Sequence, residues 1–196
     1  MARWDPGTEE RLRKAALELF TEHGYDHVTV TDIAERAGIT RRTYFRYFPD
    51  KREVLFAHSD ELAAAVAEAV RDAEPGTDDM AAALNALATA GTYLTEHAKD
   101  PAQRQAVIRS SPELEERERT KLAALTAAIQ TALASRGTAN AQARTVAQLA
   151  GLAFANAYTR WIELEGAADF RDCLRNATDT LREALTDGWS PTPTSP

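Results

Sequence analysis

Five basic side chains, Arg41, Arg42, Arg46, Lys51 and Arg52, fall within Ile39–Arg52, where Asp50 is the one acid. Cations at that density meet phosphate, and an arginine on a short helix can also take guanine O6 and N7 with two N–H donors. Thr40 and Thr43 stand beside them as small hydroxyl side chains that fit a groove, while Tyr44 and Phe48 are apolar enough to face a neighbouring helix. The chemistry within reach of this set is contact with double-stranded nucleic acid rather than bond making.

Catalytic constellations do not compete with it. The chain has no G-x-G-x-x-G run, no phosphate-loop lysine and no G-x-S-x-G elbow. His23 and His27 are four apart, but Gly24 ends a helix between them and no glutamate completes H-E-x-x-H, so no metal site is expected there. Glu113, Glu115, Glu116 and Glu118 stand at a helix start, where carboxylates meet the positive end of the dipole. The single cysteine, Cys173, excludes an intramolecular disulfide framework and reads as a packed side chain. Neither an enzyme nor a cofactor is expected.

The chain has 196 residues, 44% of them hydrophobic and 27% charged, the balance of a folded globular protein. No run approaches the roughly 18 apolar residues of a membrane span, and the first residues lack the apolar core of a signal peptide. A cytoplasmic protein without membrane contact is expected. The formal charge of −7 argues at first against nucleic acid. Its distribution reverses that argument: residues 1–60 carry 10 Lys and Arg against 11 Asp and Glu, and residues 61–196 carry 13 against 19.

The elements that position the basic set are helices, because apolar residues recur at three and four and nowhere alternate. The expected fold is all-α, with about nine helices. The first runs over Thr8–His23, capped by Thr8 and stopped by Gly24. A short second helix is capped by Thr29 or Thr31, with Ile33, Ala34 and Ala37 inward and Gly38 as the turn. Thr40 caps a third, which ends before Pro49. Asp50 is expected to cap a long fourth helix reaching about Asp72. Five more follow, over about Asp78–Ala98, from Asp100-Pro101 to about Ile108, from Ser111-Pro112 to Gly137, over Ala139–Glu165 and over Ala167–Thr186. The Pro- and Ser-rich end after Trp189 is expected to be disordered.

A short capped helix, a glycine turn and a second short helix opening on polar and basic residues make a helix-turn-helix, whose second helix enters the major groove. The run from Gly24-Tyr25 through Val28-Thr29-Val30, Ile33-Ala34, Ala37-Gly38-Ile39-Thr40 and Thr43-Tyr44-Phe45-Arg46-Tyr47-Phe48-Pro49-Asp50-Lys51 closely resembles the DNA-binding signature of tetracycline-repressor (TetR) family regulators. The resemblance spans residues 8–55. It implies phosphate contacts at Thr29, Tyr47 and Lys51, and a groove-facing set of Thr40, Arg41, Arg42, Thr43 and Phe45. Position 45 departs from the family's usual tyrosine, which removes a hydroxyl contact and leaves an apolar one, with Arg46 as a replacement phosphate ligand.

The same resemblance divides the chain into a DNA-binding domain at 1–50, a ligand-binding and dimerisation domain at 51–188 and a tail at 189–196. It implies a homodimer that binds a palindromic operator, most simply as a repressor released by a small-molecule effector. Ala143, Ala147, Ala150, Gly151, Phe154 and Ala157 form one stripe, and Phe170, Leu174, Ala177, Leu181 and Leu185 another; they are read either as the dimer face or as intrachain core. Effector candidates are Tyr93, His97, Arg104, Arg109, Asn156, Tyr158, Arg160 and Trp161. The stretch from Arg109-Ser110-Ser111-Pro112 to Tyr158-Thr159-Arg160-Trp161-Ile162 is similar to the subfamily with acyl-CoA-like ligands. The competing expectation is a helical ligand-binding or adaptor protein that does not bind DNA.

Overall fold

The structure is a computed structural model that describes residues 6–186. Among the described residues every regular element is helical: α1 (Pro6–His23), α2 (Val30–Arg36), α3 (Arg41–Tyr44), a 3-10 turn (Arg52–Leu55), α4 (Ser59–Arg71), α5 (Asp79–Glu96), α6 (Pro101–Arg109), α7 (Pro112–Ser135), α8 (Asn140–Glu163) and α9 (Phe170–Thr186). The tail expected at 189–196 lies outside the described residues.

Local chemistry accounts for the boundaries. Thr29 caps α2 in a reciprocal box, its hydroxyl accepting from the Asp32 amide while the Asp32 carboxylate accepts from the Thr29 amide. Gly38, at φ +71°, takes the left-handed step that closes α2 and lets the Ile39 amide reach back to the Ala34 carbonyl at 2.9 Å. Thr40 caps α3 by accepting from the Thr43 amide at 3.1 Å. α1 is already helical at Pro6, so Thr8 lies inside its first turn, where its hydroxyl accepts from Arg11 Nη2, rather than at its cap.

The expected long fourth helix is the main departure. Asp50 Oδ1 accepts from the amides of Arg52 and Glu53 and closes only the 3-10 turn. His58 then adopts φ +64°, and α4 starts at Ser59. Four consecutive residues, Glu53, Val54, Leu55 and Phe56, are buried. Successive side chains of such a turn point all round it, so burying four in a row takes more than one neighbour, and both α6, through Arg104, and α7, through Arg117, reach this segment. The last helix likewise starts at Phe170 rather than Ala167, where Asp169 takes the Arg171 amide with its carboxylate at 2.7 Å and the Cys173 amide with its carbonyl at 3.2 Å.

The described residues divide into two compact units, one of residues up to 62 together with 99–124 and one of residues 63–98 together with those from 125 onward. In the first, Leu12, Ala16, Phe20, Ile33, Tyr44, Val54, Ile108 and Leu114 form one core. Each large apolar side chain in it contributes roughly 1.5–3 kcal/mol by leaving water. α6 and the start of α7 therefore belong to the packing of the helix-turn-helix.

The second unit is held by small residues. Ala82, Ala83, Ala86, Ala132, Ala143, Ala147, Ala150 and Ala157 are all buried, which lets helices approach closely. A side chain at Gly91 would overlap the Phe170 ring, and one at Gly151 would stand 2.6 Å from Thr126 Oγ1. Arg136 closes the end of α4, its guanidinium donating to the carbonyls of Val70 at 3.2 Å, Ala73 at 2.7 Å and Thr77 at 3.3 Å. Those carbonyls are the negative end of that helix and of the loop after it.

Candidate nucleic-acid interface

α2, the Gly38 turn and α3 present Thr40, Arg41, Arg42, Phe45 and Arg46 to solvent, with Thr43 half-buried beside them. The alternation follows from the core. Tyr44 is fully buried and Phe48 nearly so, their rings 5.6 Å apart, which turns their neighbours outward. Phe45 keeps 43% of its surface exposed, and the Arg41 guanidinium lies over its ring at 5.3 Å. That contact holds the guanidinium on the outer face of α3 without neutralising it.

The five basic residues separate by what already holds them. Arg41, Arg42 and Arg46 form no ion pair among the described residues. Arg52, in contrast, pairs with Asp50 at 2.7 Å and with Glu113 at 3.4 Å. Lys51 turns inward: its Nζ donates to the carbonyls of Tyr25 at 2.7 Å and Val28 at 3.0 Å and lies 3.8 Å from the Tyr25 ring centre. Burial pushes the Lys51 ammonium below the usual lysine range. The three unpaired arginines are therefore the charge available to an anion.

Of the other two residues expected at phosphates, Thr29 is occupied. The Thr29 hydroxyl donates to Asp32 Oδ2 at 2.7 Å and accepts from the Asp32 amide, so its proton points into the α2 cap. The Thr29 amide and then its hydroxyl, both donating to the Asp32 carboxylate, hold that carboxyl below the ordinary aspartate range. Tyr47 is half-buried at the rim of the core. Spacing in the sequence places Thr29 and Lys51 near the interface, but only the coordinates show which way their polar atoms face.

The effector candidates are not gathered into one cluster. Tyr93 and His97 stack on the surface of α5 with ring centres 4.2 Å apart, and His97 Nδ1 lies 2.8 Å from the Tyr93 carbonyl. Tyr158 and Trp161 stack at 5.9 Å on α8, with Trp161 buried next to Gly166. Asn156 and Arg160 are exposed. Arg104 and Arg109 belong to the other compact unit, where Arg104 Nε donates to the Leu55 carbonyl at 2.8 Å and Arg109 is exposed. A groove of about 240 Å³ between α5 and α9, floored by Leu84, Ala88 and Leu174, includes none of these eight.

The stripes on the last two helices resolve as well. All six residues from Ala143 to Ala157 in the α8 stripe are buried within the single chain, so this face is intrachain core. The outward face of α8 carries Gln148, Leu152 and Asn156, with Leu152 47% exposed. On α9 the stripe starts buried at Phe170 and Leu174 and ends with Leu185 at 65% exposure.

Fold and surface define a helix-turn-helix protein of the DNA-binding class, and the comparisons identify its family. Residues 12–58 match the bacterial regulatory proteins of the tetR family, and residues 77–186 match the MftR C-terminal domain. The chain belongs to the TetR family of transcriptional regulators. It is 29% identical over 182 residues to MftR of Mycobacterium tuberculosis, which carries the name of a transcriptional regulator of mycofactocin biosynthesis; the match covers 91% of each chain. It is 27% identical over 100 residues to the HTH-type regulator YvdT of Bacillus subtilis, a match spanning 51% of this chain and 52% of that protein. The chain thus matches about half the length of YvdT. Among solved structures, FadR of Bacillus subtilis in complex with stearoyl-CoA has the same fold, with a TM-score of 0.56 at 19% identity, covering 88% of this chain and 96% of that one.

Among the described residues no helix is long and apolar enough to cross a membrane, and no group of three or more histidine, cysteine or acidic side chains could hold a metal.

Proposed function

We propose that the protein is a homodimeric transcriptional repressor, not an enzyme, that binds a palindromic operator in the cytoplasm and leaves it when a small-molecule effector binds. The supporting observation is the set of three unpaired, exposed cations, Arg41, Arg42 and Arg46, brought together on and just after α3. Arg41 and Arg42 read base edges in the major groove, with Thr40, Thr43 and Phe45 against the groove wall, and Arg46 with Tyr47 takes phosphate. Residues 1–50 carry this activity, and 51–188 carry effector binding and dimerisation through the outer face of α8 and the end of α9, where Leu152 and Leu185 are exposed.

The effector belongs to the acyl-CoA class on this reading. The stearoyl-CoA bound by the FadR structure of the same fold supports it. Tyr93, His97, Asn156, Tyr158 and Trp161 are its candidate contacts in the second unit.

Selection from a randomised duplex pool, followed by fluorescence anisotropy at two salt concentrations, tests the DNA reading. A palindrome should be enriched and bound with steep salt dependence, and the Arg41→Ala/Arg42→Ala variant should lose about 1–3 kcal/mol of discrimination per base pair read. Binding no tighter than that of the double variant would favour the adaptor reading. Stearoyl-CoA added to the preformed complex should release the duplex; unchanged anisotropy would remove acyl-CoA as the effector class.

A further inference from the structure

α3 has only four residues, too few to hold its own direction, so what it is attached to decides where its side chains point. Its last residue, Tyr44, is fully buried, and its hydroxyl donates to the Asp50 carbonyl at 3.1 Å. The Asp50 carboxylate accepts from the Arg52 amide at 2.8 Å and the Glu53 amide at 3.2 Å and so fixes the 3-10 turn. Glu53 is 8% exposed and turns its carboxylate to α7, where Arg117 Nε donates to one oxygen and Lys121 Nζ lies 3.1 Å from the other. Lys121 also donates to both oxygens of Asp60 at 3.0 Å. From α6, Arg104 holds the Leu55 carbonyl and lays its guanidinium 5.3 Å from the Phe56 ring centre.

We propose that this route, from Tyr44 through Asp50 to Glu53 and its two cations on α7, sets the direction of the recognition helix, which makes Glu53 a positioning residue for DNA binding. The proposal rests on the DNA reading above. All its members lie in one compact unit. An apolar side chain of similar volume would fill the Glu53 site without the cost of burying charge, but it could slide; a carboxylate held by two donors at set directions fits in one arrangement. Neither Arg117 nor Lys121 is free to meet phosphate, since both are spent on carboxylates.

The test uses the full chain and the duplex selected above, with the variants Glu53→Gln, Lys121→Met and Tyr44→Phe, and with active protein counted by stoichiometric titration. Each variant should bind the selected duplex about tenfold more weakly per active molecule, while a scrambled duplex is bound as before and the salt slope is unchanged. The Tyr44→Phe/Glu53→Gln double variant should be no weaker than its weaker parent, because both cut the same route. Wild-type affinity per active molecule, additive losses in the double variant, or a slope shallower by about one for Lys121→Met would each overturn the proposal. If Glu53→Gln does not fold, Tyr44→Phe and Arg104→Met leave the buried pair intact and carry the same expectation. Failure of the wild-type chain to select any duplex would overturn the DNA reading and this proposal with it; selection by the wild type with unaffected variants would overturn the proposal alone.

Discussion

Arg46 and Lys51 are close in sequence and alike in charge, yet the structure gives them different work. Arg46 is exposed and unpaired, whereas two of the three Lys51 donors hold carbonyls of the loop before α2. Arg46→Ala should flatten the salt dependence of DNA binding by about one phosphate contact at every sequence. Lys51→Met should instead lower the melting temperature and leave that slope nearly unchanged; a drop of about one would return Lys51 to the phosphate set. Asp50 adds a pH dependence. The Arg52 guanidinium beside it holds its carboxyl below the usual aspartate range. A depressed folded pKa stabilises the fold above the unfolded value, about 4, and that contribution is lost as pH falls through the folded value. Urea melts from about pH 6 down to 3 should show this loss, and Asp50→Asn should remove that part of the slope.

Helix boundaries follow two kinds of information. Thr29, Gly38 and Thr40 act through neighbours within three or four residues, so the turn after α2 and the start of α3 were legible in the sequence and the start of α2 was narrowed to Thr29 or Thr31. The break between the 3-10 turn and α4 was not, because it answers to what surrounds Glu53–Phe56 from α6 and α7. The α8 stripe was ambiguous for a similar reason: alanine and glycine let any helix approach, and only the fold shows that the neighbours come from the same chain. Gly91 tests that packing at the scale of an element pair. Gly91→Ala drives a methyl into the Phe170 ring, and a loss of roughly 1–3 kcal/mol in chemical denaturation is expected. An unchanged midpoint would mean that α9 shifts freely on α5.

For the whole molecule, a regulator that reads two half-sites needs two recognition helices about 34–36 Å apart, or a multiple of that, and hence a symmetric dimer. With the small-residue face of α8 already covered, the apolar surface left for a second copy includes Leu152 and Leu185. Sedimentation equilibrium at micromolar concentration should show a dimer, and Leu152→Glu should shift it toward monomer while leaving the helical content unchanged. A wild-type monomer would require another route to a palindrome.

By itself the sequence determined the helical class, the Thr40 cap and Gly38 turn of the helix-turn-helix, the family and the position of the basic stretch, because periodicity, capping and a dense local motif are properties of neighbouring residues. Tertiary structure decided which cations stay unpaired, which stripe is already covered and where α4 begins. These depend on partners far along the chain, such as Arg117 for Glu53 and the Tyr25 carbonyl for Lys51. A side chain's type sets what it can bind, but a partner brought to it by the fold decides whether that capacity is still available.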